Sequence, residues 1–108
     1  MANKGKHLGN LKLENGRNIS FRASEHGWQR MMERNIDTET VVGSILTLGS
    51  KILTELHASN EEAIVIDESN NIAIVVNFQK NSPDTIRVVT VINKANVYVR
   101  QGTRIERI

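Results

Sequence analysis

The start of the chain shows only short alternations of apolar and polar residues. Residues 1–10 are mostly polar and contain two glycines, a composition typical of an arm or a loop. Residues 11–22 carry Asn15-Gly16 between two short alternating stretches, and Asn-Gly is a frequent turn in β-hairpins. The pattern therefore predicts a weak, distorted pair of strands over 11–22.

Apolar residues with a helical spacing follow over 24–34. Ser24 is placed to act as the N-cap of a helix. At about 100° per residue, Trp28, Met31 and Met32 fall on one side of this helix. We expect that side to face the core.

A second helix is predicted over 38–48. Asn35 is expected to end the first helix in the left-handed conformation, which asparagine tolerates better than most residues. Asp37 is placed to cap the second helix and Gly49 to close it. The apolar stripe of this helix consists of Val41, Val42, Ile45, Leu46 and Leu48.

The remainder of the chain has the pattern of β-strands joined by short polar turns. The predicted strands cover residues 51–57, 63–67, 72–78, 85–92 and 97–100. Consecutive strands with short turns favour an antiparallel meander. We therefore predict an α+β fold in which two N-terminal helices pack on a four- to five-stranded antiparallel sheet.

The composition fits one folded domain and excludes several kinds of site. The chain has 108 residues, of which 39% are hydrophobic and 24% charged, as in globular domains. We divide it into an arm or hairpin (1–20), helices (24–48) and a sheet (51–108). The absence of cysteine excludes disulfides, thiol nucleophiles, Cys-ligated zinc and iron–sulfur clusters. No apolar run reaches the ~20 residues of a membrane span, so we expect no membrane segment and no signal peptide.

The net charge of +2 hides an uneven distribution. Residues 1–34 hold seven Lys/Arg and three Asp/Glu, residues 35–85 hold two and eight, and residues 86–108 hold five and one. Both ends are therefore basic and the middle is acidic. This pattern suggests a polyanionic partner, provided that the fold brings the two ends together on one face.

The sequence favours neither a metal site nor a serine hydrolase. His7, His26 and His57 are far apart, and there is no His-Glu-x-x-His motif and no Asp-rich calcium loop. A Gly-x-Ser-x-Gly elbow and a Gly-rich phosphate loop are also absent. We therefore expect no metal and no cofactor.

His26, Arg30 and Arg34 share one face of the first predicted helix. Arginine stays charged and bonds phosphate oxygens in pairs, whereas histidine titrates near pH 6.5 and transfers protons. These groups are the minimum for metal-free cleavage of an RNA phosphodiester, in which the ribose 2′-hydroxyl is the nucleophile. The alternative is a solvated helix face, with the arginines paired to acids such as Glu33.

At this helix the sequence resembles a group of small bacterial domains. Residues 24–37, SEHGWQRMMERNID, fit their pattern Ser-x-His-(x)3-Arg-Met-x-x-Arg-x-Ile. The next helix in them is of the Val-x-x-x-Ile-x-x-Gly type, to which Val41, Ile45 and Gly49 are similar, with three residues instead of two between Ile45 and Gly49. The later run Val88-Val89-Thr90-Val91 is also typical of them. Such domains are toxin ribonucleases of the barnase/EndoU/colicin/RelE-like superfold. They include toxin domains of CdiA-type contact-dependent inhibition and related polymorphic toxins.

The resemblance implies that His26, Arg30 and Arg34 lie in an active site, to which Thr90 adds a hydroxyl group. A second proton-transfer group is missing from the motif, and the candidates for it are His7, Lys6 and Tyr98. The structural alternatives are an ordinary strand position for Thr90, a disordered arm for His7 and edge packing for Tyr98. Basic residues that border the cleft are expected to bind RNA phosphates: Lys6, Arg87, Lys94, Arg100 and Arg104.

The resemblance thus implies a metal-independent endoribonuclease toxin, with tRNA as the expected substrate. It also implies an immunity protein, expected to be acidic, and action in the cytoplasm of a target bacterium after release from a secreted or surface-exposed parent protein. The alternative is a non-catalytic module of the same fold that binds RNA or a protein partner. An immunity or antitoxin protein is a third and weaker alternative, because partners of ribonucleases tend to be acidic.

Overall fold

A computed structural model of the chain describes residues 5–12, 16, 18–59, 62–79 and 84–108. The elements in chain order are β1 (Lys6–Lys12), β2 (Asn18–Ala23), α1 (Glu25–Glu33), α2 (Thr38–Thr47), α3 (Gly49–Ser59), β3 (Glu62–Asp67), β4 (Ile72–Gln79), β5 (Asp84–Ile92) and β6 (Arg104–Arg107). The α+β class is confirmed, and the described residues form three helices and six strands in place of the two and four to five predicted. The predicted turn residue Asn15 lies outside the described residues, as do residues 80–83 between the predicted strands 72–78 and 85–92.

The six strands form one mixed sheet in the order β1-β2-β5-β4-β3-β6. Strand β2 pairs with β5 and strand β3 with β6 in parallel, while the other three pairs are antiparallel. The prediction of a wholly antiparallel sheet is therefore wrong. The reason is that β5 pairs with β2, and β6 with β3, across several intervening elements of the chain, and strands that do not follow each other directly can be parallel neighbours.

Helices α2 and α3 cover one face of the sheet, and α1 contributes Met31 to the same core from the edge of β5. Helix side chains buried in the core are Met31, Val41, Ile45, Leu53 and Leu56, and they meet strand side chains such as Phe21, Ile74 and Val88. Because side chains alternate along a strand, the residues between those strand positions project from the opposite face. We call that surface, formed by Ser20, Arg22, Asn77, Gln79, Thr85, Arg87 and Thr90, the open face.

The open face is polar over β2 and β5 and apolar at its other end. There Ile66 and Ala73, which are paired across β3 and β4, are buried outside the main core. Ala95 N, in the connection 93–103 between β5 and β6, donates to Asn71 Oδ1 at this end of the sheet (2.9 Å). Of the described residues, this connection is the segment that can cover Ile66 and Ala73.

Two segments have a different structure from the one predicted. Residues 51–57 belong to α3 and not to a strand, because Leu53 and Leu56 together reach the core with helical spacing while Ile52 packs beside it. Residues 97–100 form no strand, and the last strand is β6. At the other end, β1 begins at Lys6 within the predicted arm, so the hairpin is confirmed but is longer than expected.

Asp67 joins the turn between β3 and β4 to α2. Its carboxylate accepts hydrogen bonds from Ser44 Oγ (2.6 Å), Asn70 N (3.1 Å) and Asn70 Nδ2 (2.8 Å). Burial by itself disfavours the charged form of this group, but the hydrogen bonds from Ser44 and Asn70 outweigh burial and lower the pKa of Asp67.

Candidate functional site

Helix α1 begins against the edge of β5, just beyond the end of β2. Ser24 N donates to Val88 O (2.9 Å), and Ser24 Oγ donates to Val89 O (3.1 Å) while accepting from Gly27 N (2.9 Å). The register of β5 shifts here, so that Val89 is the extra residue of a β-bulge. The bulge thus presents two successive carbonyl groups to the N-terminus of the helix, and Ser24 is confirmed as its N-cap.

The close approach of α1 to β5 is centred on Gly27. A Cβ atom on Gly27 would lie 2.4 Å from Val88 O and 3.1 Å from Val89 O. Gly27 and Met31 therefore form the buried side of the helix, while Trp28 is half-buried and Met32 is 63% exposed. The prediction that Met32 faces the core is wrong, because the contact with β5 turns that side of the helix to solvent.

The three basic residues predicted to share one face of α1 differ in their surroundings: some make structural contacts and others face solvent. Arg34 Nη1 donates to Val91 O (2.5 Å), which anchors the end of the helix to β5. Arg30 forms an ion pair with Glu33 (2.6 Å). His26 is exposed and forms no hydrogen bond or ion pair with the described residues. Only His26 is thus fully available to a ligand, and the alternative of a solvated, ion-paired face holds for Arg30.

Lys6 lies on the helix-covered side of the sheet. Its Nζ is 5.4 Å from the centroid of the Trp28 ring, a cation–π distance. Its Cα partner on β2 is Ala23, which belongs to the core. Lys6 therefore holds the start of β1 against the first turns of α1, and this contact places it away from the open face.

A pocket on the open face brings together two arginines from neighbouring strands. Arg22 and Arg87 are paired in register across the parallel strands β2 and β5, and they line the pocket with Thr85 and Gln79. Its volume is about 80 Å³. No carboxylate of the described residues forms an ion pair with either arginine. Because like charges placed side by side repel, this arrangement is suited to bind an anion between them.

His7 extends this row by one strand. It is the Cα partner of Arg22, so the row His7–Arg22–Arg87 crosses three adjacent strands on the open face. His7 is exposed, and its Nε2 lies 3.4 Å from Asn10 Oδ1. Thr90 also projects from the open face, since it pairs with Val75 beyond the bulge. The structure thus brings His7 and Arg87 together, with Thr90 on the same face.

The other predicted RNA contacts lie elsewhere. Lys94, Tyr98 and Arg100 are exposed in the connection 93–103. Arg104 on β6 binds Glu106 (2.7 Å) and Glu55 (3.3 Å), and the bond to Glu106 is the main reason why the pKa of Arg104 is raised.

The two basic ends do not converge on one face. Strands β1 and β6 are the two outer strands of the sheet. Five strand spacings of about 4.8 Å separate them by roughly 24 Å. Among the strand residues of the C-terminal segment, Arg87 of β5 is the cation that lies beside β2.

Sequence reasoning missed Arg22, Thr85 and Gln79. The alternation Ile19-Ser20-Phe21-Arg22-Ala23 contains the signal that Arg22 projects from the face opposite the core. The pairing of β2 with β5, which puts Arg22 beside Arg87, cannot be recognised from the sequence because some sixty residues separate the two strands.

The described part of the chain offers no group of three or more His, Asp or Glu side chains that could hold a metal ion. No helix within it is both long enough and apolar enough to span a membrane. The chemistry that these residues can supply themselves is anion binding by arginine and proton transfer by histidine.

No protein-family model, curated protein or solved structure matches this chain. The resemblance of residues 24–37 to toxin ribonucleases therefore rests on its motif residues alone. Function has to be inferred from the chemistry and the position of the side chains described above.

Proposed function

We propose that the protein is a metal-independent endoribonuclease that cleaves RNA by attack of the ribose 2′-hydroxyl on the adjacent phosphate. The observation that carries the proposal is the pocket on the open face, where Arg22 and Arg87 stand side by side without an acidic partner among the described residues. Two guanidinium groups bind the oxygens of one phosphodiester and stabilise the negative charge that builds on them.

RNA is favoured over DNA because arginine and histidine supply charge stabilisation and proton transfer. The 2′-hydroxyl supplies a nucleophile within the substrate itself, which DNA lacks. Histidine is the side chain suited to move the protons at neutral pH, and His7 adjoins the arginine pair.

The resemblance of residues 24–37 supports a more specific proposal. By that resemblance the protein acts as a toxin on tRNA in the cytoplasm of a target bacterium and is neutralised by a cognate immunity protein. The two arginines on the open face would favour an acidic partner, since complementary charges speed association.

Incubation of the purified protein with total tRNA, with and without EDTA, tests the proposal. We expect cleavage that survives EDTA and leaves 2′,3′-cyclic phosphate and 5′-hydroxyl ends. The variants R22A and R87A should each lose about 100-fold or more in kcat/KM, the order of effect found when a group that stabilises the transition-state charge is removed.

Arg107→Ala is the matched control, because this arginine lies on β6 at the far edge of the sheet. Its cleavage rate should equal that of the wild type. Binding of tRNA without cleavage would instead support a non-catalytic RNA-binding module. Cleavage that EDTA abolishes would show that the metal-free reaction is wrong.

A further inference from the structure

The contact between Lys6 and Trp28 shows on which side of the sheet His7 and His26 lie. Lys6 Nζ lies over the Trp28 ring, and both residues are on the side of the core. Neighbouring residues of a strand point to opposite faces, so His7 projects from the open face next to Arg22. On α1, His26 and Trp28 are about 160° apart around the helix axis. His26 therefore lies on the flank of the helix that is turned away from Trp28.

That flank of α1 borders the open face because of how the helix is attached. The edge carbonyls Val88 O, Val89 O and Val91 O of β5 accept bonds from Ser24 and Arg34 at the two ends of α1. The helix thus lies along the edge of β5 and continues the sheet laterally where β2 stops. One of its flanks, with Trp28, adjoins the core, and the opposite flank, with His26, adjoins the open face.

The two histidines also lie at the same end of β2. Lys6 pairs with Ala23 and His7 with Arg22, while α1 begins two residues after Ala23. His7 therefore approaches the arginine pair from β1, and His26 approaches it from the first turn of α1. Both side chains are exposed.

We propose that His7 and His26 form the proton-transfer pair of this site, one on each side of the phosphate held by Arg22 and Arg87. This inference rests on the proposed ribonuclease function and assigns its acid and its base. The charged groups that face the pair are cationic on β2 and β5, where they are Arg22 and Arg87. On α1 they are Arg30 and Glu33, which neutralise each other in their ion pair, and Glu25 is the exposed residue before His26.

The reaction balances with these two groups alone. One histidine, neutral at the start, takes the proton of the 2′-hydroxyl, and the 2′-oxygen forms a bond to phosphorus. The bond between phosphorus and the 5′-oxygen breaks, and the second histidine, protonated at the start, gives its proton to that oxygen. The products are a 2′,3′-cyclic phosphate and a 5′-hydroxyl end, and the two histidines regain their initial states by proton exchange with water.

The variants H7A and H26A, measured on a dinucleotide and on a ribonucleoside 3′-(4-nitrophenyl) phosphate, test the pair. The nitrophenolate leaving group needs no proton, so loss of the acid should matter only for the dinucleotide. We expect both variants to lose about 100-fold or more in kcat/KM on the dinucleotide. On the aryl ester, the variant that lacks the acid should have a kcat/KM within about fivefold of the wild type. The variant that lacks the base should stay impaired on both substrates.

The pH dependence gives a second readout that a merely structural role would not change. The wild type should show a bell-shaped profile of kcat/KM, because one histidine must be neutral and the other protonated. Each variant should lose one limb of the bell, and added imidazole should restore part of its activity. Gln29→Ala, on the exposed side of α1, is the matched control and should leave both profiles unchanged.

The outcomes separate this inference from the function on which it rests. If the wild type cleaves RNA but H7A or H26A keeps more than a tenth of its kcat/KM, the pair is wrong and the ribonuclease stands. If both variants respond equally to the leaving group, they do not share the roles of acid and base. If the wild type cleaves none of tRNA, the dinucleotide and the aryl ester, the proposed function itself is wrong.

Discussion

Gly27 has the strongest steric constraint among the glycines that the structure describes. It allows the first turn of α1 to pack against the carbonyl groups of the β-bulge, and a methyl group at this position would lie 2.4 Å from Val88 O. A backbone oxygen cannot turn away as a flexible side chain can, so α1 would have to move. Because His26 precedes Gly27 directly, the same contact sets where that histidine lies beside the open face.

We expect Gly27→Ala to lower the free energy of unfolding by about 1–3 kcal/mol, the usual cost of forcing an extra carbon into a packed contact. The higher helix propensity of alanine offsets only part of this cost. Denaturant unfolding followed by circular dichroism measures the change.

Gly43→Ala is the control for this substitution. Gly43 lies within α2, and nothing is within 4 Å of the position of its Cβ. This variant should gain about 0.5–1 kcal/mol, since alanine is the better helix former. An equal loss of stability in both variants would contradict the packing explanation.

At the scale of elements, Asp67 connects the β3–β4 turn to α2 through Ser44 and Asn70. The carboxylate is buried and its pKa is lowered, so the charged form is the one that the fold stabilises. This group is charged at neutral pH in both the folded and the unfolded chain. Its contribution to the free energy of unfolding is therefore complete above the pKa of about 3.9 in the unfolded chain. That contribution is lost as the pH falls through the lower pKa of the folded protein.

Asp67→Asn should lower the free energy of unfolding by about 1–3 kcal/mol at pH 7, because the charge-assisted hydrogen bond from Ser44 is lost. The difference from the wild type should shrink as the pH falls below 4. Urea unfolding at pH 7, 5 and 3 measures it. A difference that stays constant over this range would show that the charge of Asp67 does not contribute.

Local signals predict some elements of this fold well and others poorly. The two caps were predicted correctly, since Ser24 and Asp37 each accept a bond from the backbone nitrogen three residues later, and Asn35 has the expected positive φ of 56°. The segment 51–57 was mistaken for a strand. A short apolar stretch fits both the two-residue period of a strand and the 3.6-residue period of a helix. Only the packing of Leu53 and Leu56 in the core shows that this segment is a helix.

At the scale of the whole molecule, the order of the strands determines where the positively charged side chains lie and whether they have acidic partners. The central pairing of β2 with β5 puts Arg22 beside Arg87, while β6 carries Arg104 and Arg107 to the far edge, where they pair with acids. The uneven charge along the sequence therefore does not become one basic face. It becomes a small arginine site on the open face and a neutralised outer strand.

The salt dependence of RNA binding tests this division. Each lost phosphate contact lowers the slope of log K against log[salt] by about 0.7–0.9. We expect R87A to reduce the slope by about that amount, and R107A to leave it unchanged. Fluorescence anisotropy with a non-cleavable 2′-O-methyl RNA over a range of salt concentrations measures both. An equal reduction in the two variants would show that RNA also occupies the β6 edge.

The sequence by itself determined the α+β class, the two helix caps, the left-handed Asn35 and the candidate chemistry of His7, His26 and Arg87. These features depend on local propensity, on period and on residue type, all of which act over a few neighbouring positions. Only the tertiary structure decided which strands are neighbours, and with that which side chains share a surface. It moved Lys6 and Arg34 to structural contacts, and it placed Arg22 beside Arg87. Strand pairing between distant segments depends on the burial of the whole core, which no local pattern contains.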